Sequence, residues 1–191
     1  VTSSGDMSQN VAEVATAMAL DGHEYPLVVA RVNGEAISSK ILAQRVYAVQ
    51  QAGPGAPKVA DPVKTALDAL IQEMILRHAA RARGIKVSDA EIQAFERQQQ
   101  QAVAASPDGM SDLRQIAALE GYDSLAAYWA APRTIAALRN IILLGKMKQQ
   151  IAQKLAQTLL TPQPNPPENQ QQAIDRFVAA QHAHVEIYIN E

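Results

Sequence analysis

LVVARV, Leu27 to Val32, and VEIYI, Val185 to Ile189, are short β-type runs at opposite ends of a long stretch of helical pattern. The first passes directly into Asn33-Gly34, a pair that tolerates the left-handed backbone of a tight turn, then into Ile37 and a helix start at Ser38-Ser39. If the two runs pair, the ends of the chain close on one another and the helices between them form one cradle rather than a string of separate units. The pairing is therefore the decision on which the whole architecture turns.

Between the two runs the helices are punctuated by caps and breakers. Ser39 to Gln51 reads as a helix ended by GPGAP, Gly53 to Pro57. Asp61-Pro62 then supplies an N-cap and a proline at the first helical position, and Gly84 a C-terminal cap. At 100° per residue Val63, Leu67, Leu70, Ile71, Met74 and His78 share roughly a third of the circumference, so this helix should bury one face. Ser88-Asp89-Ala90-Glu91 is a capping box that starts a further helix, Asp89 to about Ala104, whose Gln98–Gln101 run reads as an uncharged, solvated surface. Ser111 and Gly121 bracket a short helix. Another begins after Asp123, meets Pro132 with a kink or break, and leads into a long helix from Arg133 to Leu160.

The long helix carries two apolar faces. Ile135, Leu138, Ile141 and Ile142 cluster on one side; Leu144, Met147, Ile151, Leu155 and Leu159 cluster roughly 120° further round, and Leu143 on neither, where it should be exposed. The second face is open to two readings: the C-terminal helix wraps over it, or another protein does. From Ser124 to Pro167 there is no acidic residue, while Arg133, Arg139, Lys146, Lys148 and Lys154 are basic. That polarity is either a weakly cationic surface for acidic polypeptides or anionic lipid heads, or a solubilising fringe around an apolar stripe.

Composition excludes much else. A net charge of −2 removes the whole-chain argument for nucleic acid, and the absence of cysteine removes disulfides, thiol catalysis and cysteine metal sites. No apolar run approaches the ~20 residues needed to span a bilayer. Val1 to Asn10 is a polar tether without a leader or initiator Met, as in a processed or trimmed chain, and Asn10 to Leu20 could form a weak helix. His182 and His184 could share one side of a strand but have no acidic partner at metal-site spacing, and His78 sits on an apolar helix face as a core residue does. No nucleophile elbow, phosphate loop or zinc-protease signature occurs, so no catalytic, cofactor or metal residues are assigned and no enzyme is expected.

VARVNGEAISS (Val29 to Ser39), the segment from Asp61 to Ile92 with its GIKVSDAEI junction, LRQIAALEGYDSLAAYWAAPRTIAALRNIILLGKMKQQI (Leu113 to Ile151) and AIDRFVAAQHAHVEIYI (Ala173 to Ile189) together resemble the N-terminal chaperone domain of the SurA and PrsA group. The resemblance implies a mainly α fold, a helical chaperone cradle closed by a small β pairing of the N- and C-terminal strands. It divides the chain into a tether at 1–24, a helical core at 25–160, a proline-rich linker at 161–170 and a closing helix and strand at 171–191. In the group a parvulin-type prolyl isomerase domain usually stands where this chain has TPQPNPPENQ, Thr161 to Gln170, which is too short to fold into a catalytic domain. The implied activity is ATP-independent binding of unfolded or nascent exported polypeptides in the periplasm or at the cell surface, without isomerase activity. A membrane tether upstream of residue 1 and a homodimer stay open.

Client binding without a sequence code needs an adaptable apolar surface. Met110, Leu113, Tyr122, Leu125, Tyr128 and Trp129 gather the scarce aromatics with Leu and Met, and Leu143 and Met147 would extend that surface along the long helix. The same aromatics would equally serve as filling between helices. The rival function is an assembly module that dimerises, by exchange of the C-terminal segment, or docks on one dedicated partner.

Overall fold

A computed structural model describes residues 27–50, 59–159, 169–182 and 187–189. The expected N-terminal helix at 10–20, the GPGAP break, the 161–168 part of the linker and His184 lie outside these residues. The strands are β1 (Val28–Val32), β2 (Glu35–Ser38) and β3 (Ile187–Ile189), and the helices are α1 (Ser39–Gln50), α2 (Pro62–Ala82), α3 (Asp89–Ala105), α4 (Gly109–Leu119), α5 (Leu125–Ala130), α6 (Pro132–Leu159) and α7 (Gln170–His182). The fold is mainly α with one small antiparallel sheet.

The distant pairing forms. β1 is the central strand of the order β2-β1-β3, with Ala30 opposite Ile189, Arg31 opposite Tyr188 and Val32 opposite Ile187. Its other edge carries β2, which the sequence reading had merged into the turn and helix start. Asn33 (φ 49°) and Gly34 (φ 80°) take consecutive left-handed conformations, which gives the hairpin turn the twist of its strands. Arg31 Nη1 donates to the Gly34 carbonyl at 3.0 Å across that turn. The pairing of β1 with β2 shifts register between Val28 and Ala30, a bulge that leads the chain into α1. There the Ser38 hydroxyl accepts the Ile41 N–H.

The chain divides into two compact units, the residues up to Leu76 together with those from Ile174 onward, and Arg77–Ala173. The first holds the sheet, α1, most of α2 and most of α7. Val29, Ala30, Val32, Ile37, Leu42 and Val46 are buried there, and Arg45 of α1 grips Glu73 of α2 through two hydrogen bonds of 2.7 and 2.9 Å. A bidentate guanidinium–carboxylate pair of this kind fixes orientation as well as distance.

α2 begins as its sequence demands, with Asp61 Oδ1 accepting the Lys64 N–H at 2.8 Å, and ends at Gly84 (φ 69°) with Ile85 N–H bonded to the Ala80 carbonyl. Its burial corrects the expectation of a single apolar face. Leu70, Ile71, Met74, Ile75, Leu76, Ala79 and Ala80 are all buried, and at 100° per residue they surround the helix. The reason is that the boundary between the units falls inside α2, so the two halves of the helix serve two cores.

In the second unit Ser88 completes both halves of its capping box with Glu91. Helix α4 starts two residues before Ser111, the expected start, because Gly109 can lie against the preceding chain: a Cβ there would come within 2.4 Å of the Val103 carbonyl oxygen. Ser124 caps α5 through the Ala127 N–H, and Ala131 separates α5 from α6, whose first residue is Pro132. That break is one of the two outcomes the proline allowed.

α6 does bury two faces, but with different membership. Leu138 is buried on the first, whereas Ile141 is 53% exposed. On the second, Leu143 is 5% exposed and Met147 0%, with Ile151 buried beside them. Leu143 was expected in solvent; it is buried because the covered row runs at four-residue steps, 143, 147 and 151, and this row drifts around the helix rather than following a fixed meridian. Met147 also receives an N–H from Arg83 at 3.8 Å. The side chain of Leu159 lies outside the described residues.

Candidate functional site

The capping box does more than start α3. Glu91 reaches back to the Ser88 N–H and hydroxyl, and Lys146 of α6 lies 2.5 Å from its other oxygen while donating to the Lys86 carbonyl at 2.7 Å. The Lys146 hydrogen bond, followed by those from Ser88, lowers the Glu91 pKa from 4.5 to about 2. Arg139 of α6 meets Asp89 at 3.3 Å. Two of the five cations in the acid-free stretch thus pair with the acidic start of α3, which favours the structural over the ligand-attracting reading for those two.

Beside this clamp runs a groove. Asp89, Ile92, Gln93, Glu96 and Gln100 form one wall, and their spacing of three and four residues places them on one face of α3. Ala126, Trp129 and Ala130 of α5 form the facing wall, and Ile135 of α6 contributes to the lining. Together they border a space of about 680 Å³, within the usual size range of binding clefts. Ile92 is buried, Trp129 and Ile135 are half-buried, and the small side chains of Ala126 and Ala130 keep the α5 wall low.

Trp129 is the end of an aromatic run. Tyr122 and Tyr128 meet edge to face with centroids 5.6 Å apart, and Tyr128 and Trp129 do so at 5.3 Å. All three are half-buried, and burial raises the Tyr128 pKa, with the Glu120 charge adding to it. Of the eight residues proposed from sequence for client contact, Trp129 alone lines the groove. Tyr122 and Tyr128 stand behind it as support. Met110 and Leu113 of α4 and Leu125 at the start of α5 are half-buried outside the lining, and Leu143 and Met147 are buried. The other eight lining residues were missed, Ile92, Glu96 and Ile135 among them, and the clue to those on α3 was its spaced face.

Residues 17–118 match the family of SurA-like N-terminal domains, over half of the chain. The protein belongs to that family. No curated protein matches it. For this SurA-like domain the match runs from before β1 into α4, so it includes the whole α3 wall of the groove. The mainly α fold closed by a small sheet is the one the resemblance implied, and membership places the chain in a chaperone-related family.

A second concavity, about 560 Å³, belongs to the other unit and is lined by residues of α2 and α7, among them Asp68, Gln72, Asp175 and His182, with Ile187 of β3. Gln72 Nε2 donates to Asp175 Oδ1 at 3.0 Å there. Among the described residues no group of three or more His, Cys, Asp or Glu could hold a metal, and no helix is long and apolar enough to cross a membrane.

Proposed function

We propose that this SurA-like domain binds apolar segments of unfolded or partly folded exported polypeptides, without ATP and without prolyl isomerase activity, outside the cytoplasm. The observation that carries the reading is the groove of α3, α5 and α6: an apolar lining of Ile92, Trp129 and Ile135, open on one side, in a chain of a chaperone-related family. An unfolded segment gains contact energy there but loses chain entropy, so weak, rapidly exchanging complexes are the expected regime. Residues 25–160 form the proposed working core, 171–191 complete it, and the linker at 161–170 stands in place of a catalytic domain.

The rival reading, docking through the second face of α6, is disfavoured by the burial of Leu143, Met147 and Ile151 within the chain itself. The test is aggregation of two unrelated unfolded proteins with and without this chain and with its Trp129→Ala variant, alongside light scattering for its oligomeric state. Suppression of both clients at near-stoichiometric amounts without nucleotide, weakened in the variant, supports the proposal. No suppression of either, together with a tight dimer, sinks it and leaves an assembly module.

A further inference from the structure

We infer that the groove of α3, α5 and α6 prefers apolar segments that carry a lysine or arginine, an inference that rests on reading that groove as the client site. Its two charged lining residues, Asp89 and Glu96, are both acidic. They are not equivalent. Asp89 faces Arg139 at 3.3 Å and sits in the first turn of α3, where the helix amides offset negative charge. Glu96 lies two turns further in, where its carboxylate accepts a hydrogen bond from the neutral side-chain amide of Gln100 at 2.9 Å. Arg133, whose charge acts on Tyr128, is not part of the lining. A negative charge without a cationic partner in the lining therefore stands midway along the α3 wall, opposite the apolar side chains of α5 and Ile135.

The α3 wall from Asp89 to Gln100 spans about 17 Å at 1.5 Å per residue, room for about five residues of extended chain. A cation among those residues is attracted to Glu96 and to the face of Trp129, which lines the same groove. A carboxylate in its place is repelled by Glu96 and loses the interaction with the indole.

The experiment uses the full chain and three seven-residue peptides, identical in leucine and valine content and free of aromatics, with lysine, norleucine or glutamate at the centre. Binding is read from the emission of Trp129, the one tryptophan in the sequence. The lysine peptide should bind about three- to five-fold more tightly than the norleucine peptide at low ionic strength, the scale of one partly exposed ion pair, and the glutamate peptide most weakly. The lysine preference should shrink with salt, fall to about one in Glu96→Gln and invert in Glu96→Lys. Equal binding of the lysine and norleucine peptides, or a preference that survives Glu96→Gln, overturns the inference and leaves the groove as a client site without charge selection. If no peptide alters Trp129 emission, the client-site reading itself fails and this inference with it.

Discussion

Leu143→Ala, Met147→Ala and Ile141→Ala test the burial pattern of α6 within one short stretch of helix. Leu143 and Met147 are 5% and 0% exposed, so truncation removes a whole buried side chain and leaves a space its neighbours fill only in part. Transfer from water alone is worth about 1.5–3 kcal/mol for such a side chain, and with the cavity the usual total is about 2–5 kcal/mol. Ile141 is 53% exposed; roughly half its transfer energy is at stake and no closed cavity forms, giving about 1 kcal/mol or less. Urea unfolding followed by Trp129 emission is the suitable assay, because Trp129 lies in the same compact unit, Arg77–Ala173, as all three sites. With a urea slope of about 1–3 kcal/mol per molar, a loss of 3 kcal/mol moves the midpoint down by about 1–3 M. Client affinity per folded molecule should not change in Leu143→Ala or Met147→Ala, since buried side chains touch no client. The reasoning is refuted if Ile141→Ala costs as much as Leu143→Ala, or if Leu143→Ala is nearly neutral for stability yet weakens client binding.

Three further perturbations follow from local geometry. Gly109→Ala places a Cβ 2.4 Å from the Val103 carbonyl oxygen, so the turn between α3 and α4 must shift, at a cost of about 1–3 kcal/mol seen in the same unfolding curves. Gly34→Ala forces φ near +80° on a residue with a side chain and should destabilise the hairpin by about 1–2 kcal/mol, again by urea unfolding. Because the Glu91 pKa is lowered from 4.5 to about 2, its contribution is fully present above pH 4.5 and is lost as the pH falls towards 2. The stability difference between wild type and Glu91→Gln should therefore vanish across that window, as checked by unfolding curves at stepped pH.

The elements that were legible in the sequence are those whose ends are fixed by local chemistry. Asp61-Pro62 and Ser88 with Glu91 each hold a helix start through a side-chain bond to a free amide, an interaction confined to four residues and so visible in any window of that size. Asn33-Gly34 told of the turn but not of β2, because Glu35–Ser38 is too short to establish an alternation and acquires its strand character from β1 alongside it. The face of α2 was misjudged for the opposite reason. A 100° projection assumes one environment along the helix, and α2 has two, divided near Leu76. In α6 the same projection placed Leu143 between faces, whereas a buried row stepping by four residues takes it in.

The groove was legible only by halves, and its halves do different work. Trp129 could be picked out as the single tryptophan near two tyrosines, but nothing local tells that it faces α3, some thirty residues earlier; that meeting is made by the turn at Gly109, the cap at Ser124 and the break at Ala131. The matched stretch ends at residue 118, so family membership speaks for the α3 wall and not for Trp129 or Ile135. The α5 and α6 side must be tested on this chain itself. Trp129→Ala removes the largest apolar side chain of the lining while Ile92 and Ile135 remain, so suppression of aggregation should weaken rather than disappear. Full suppression by Trp129→Ala would mean that clients do not use this groove. Weakened suppression with an unchanged urea midpoint, followed for this variant by helical circular dichroism because it has no tryptophan, would mean that Trp129 contacts clients, since a tryptophan that merely filled the core would lower both together.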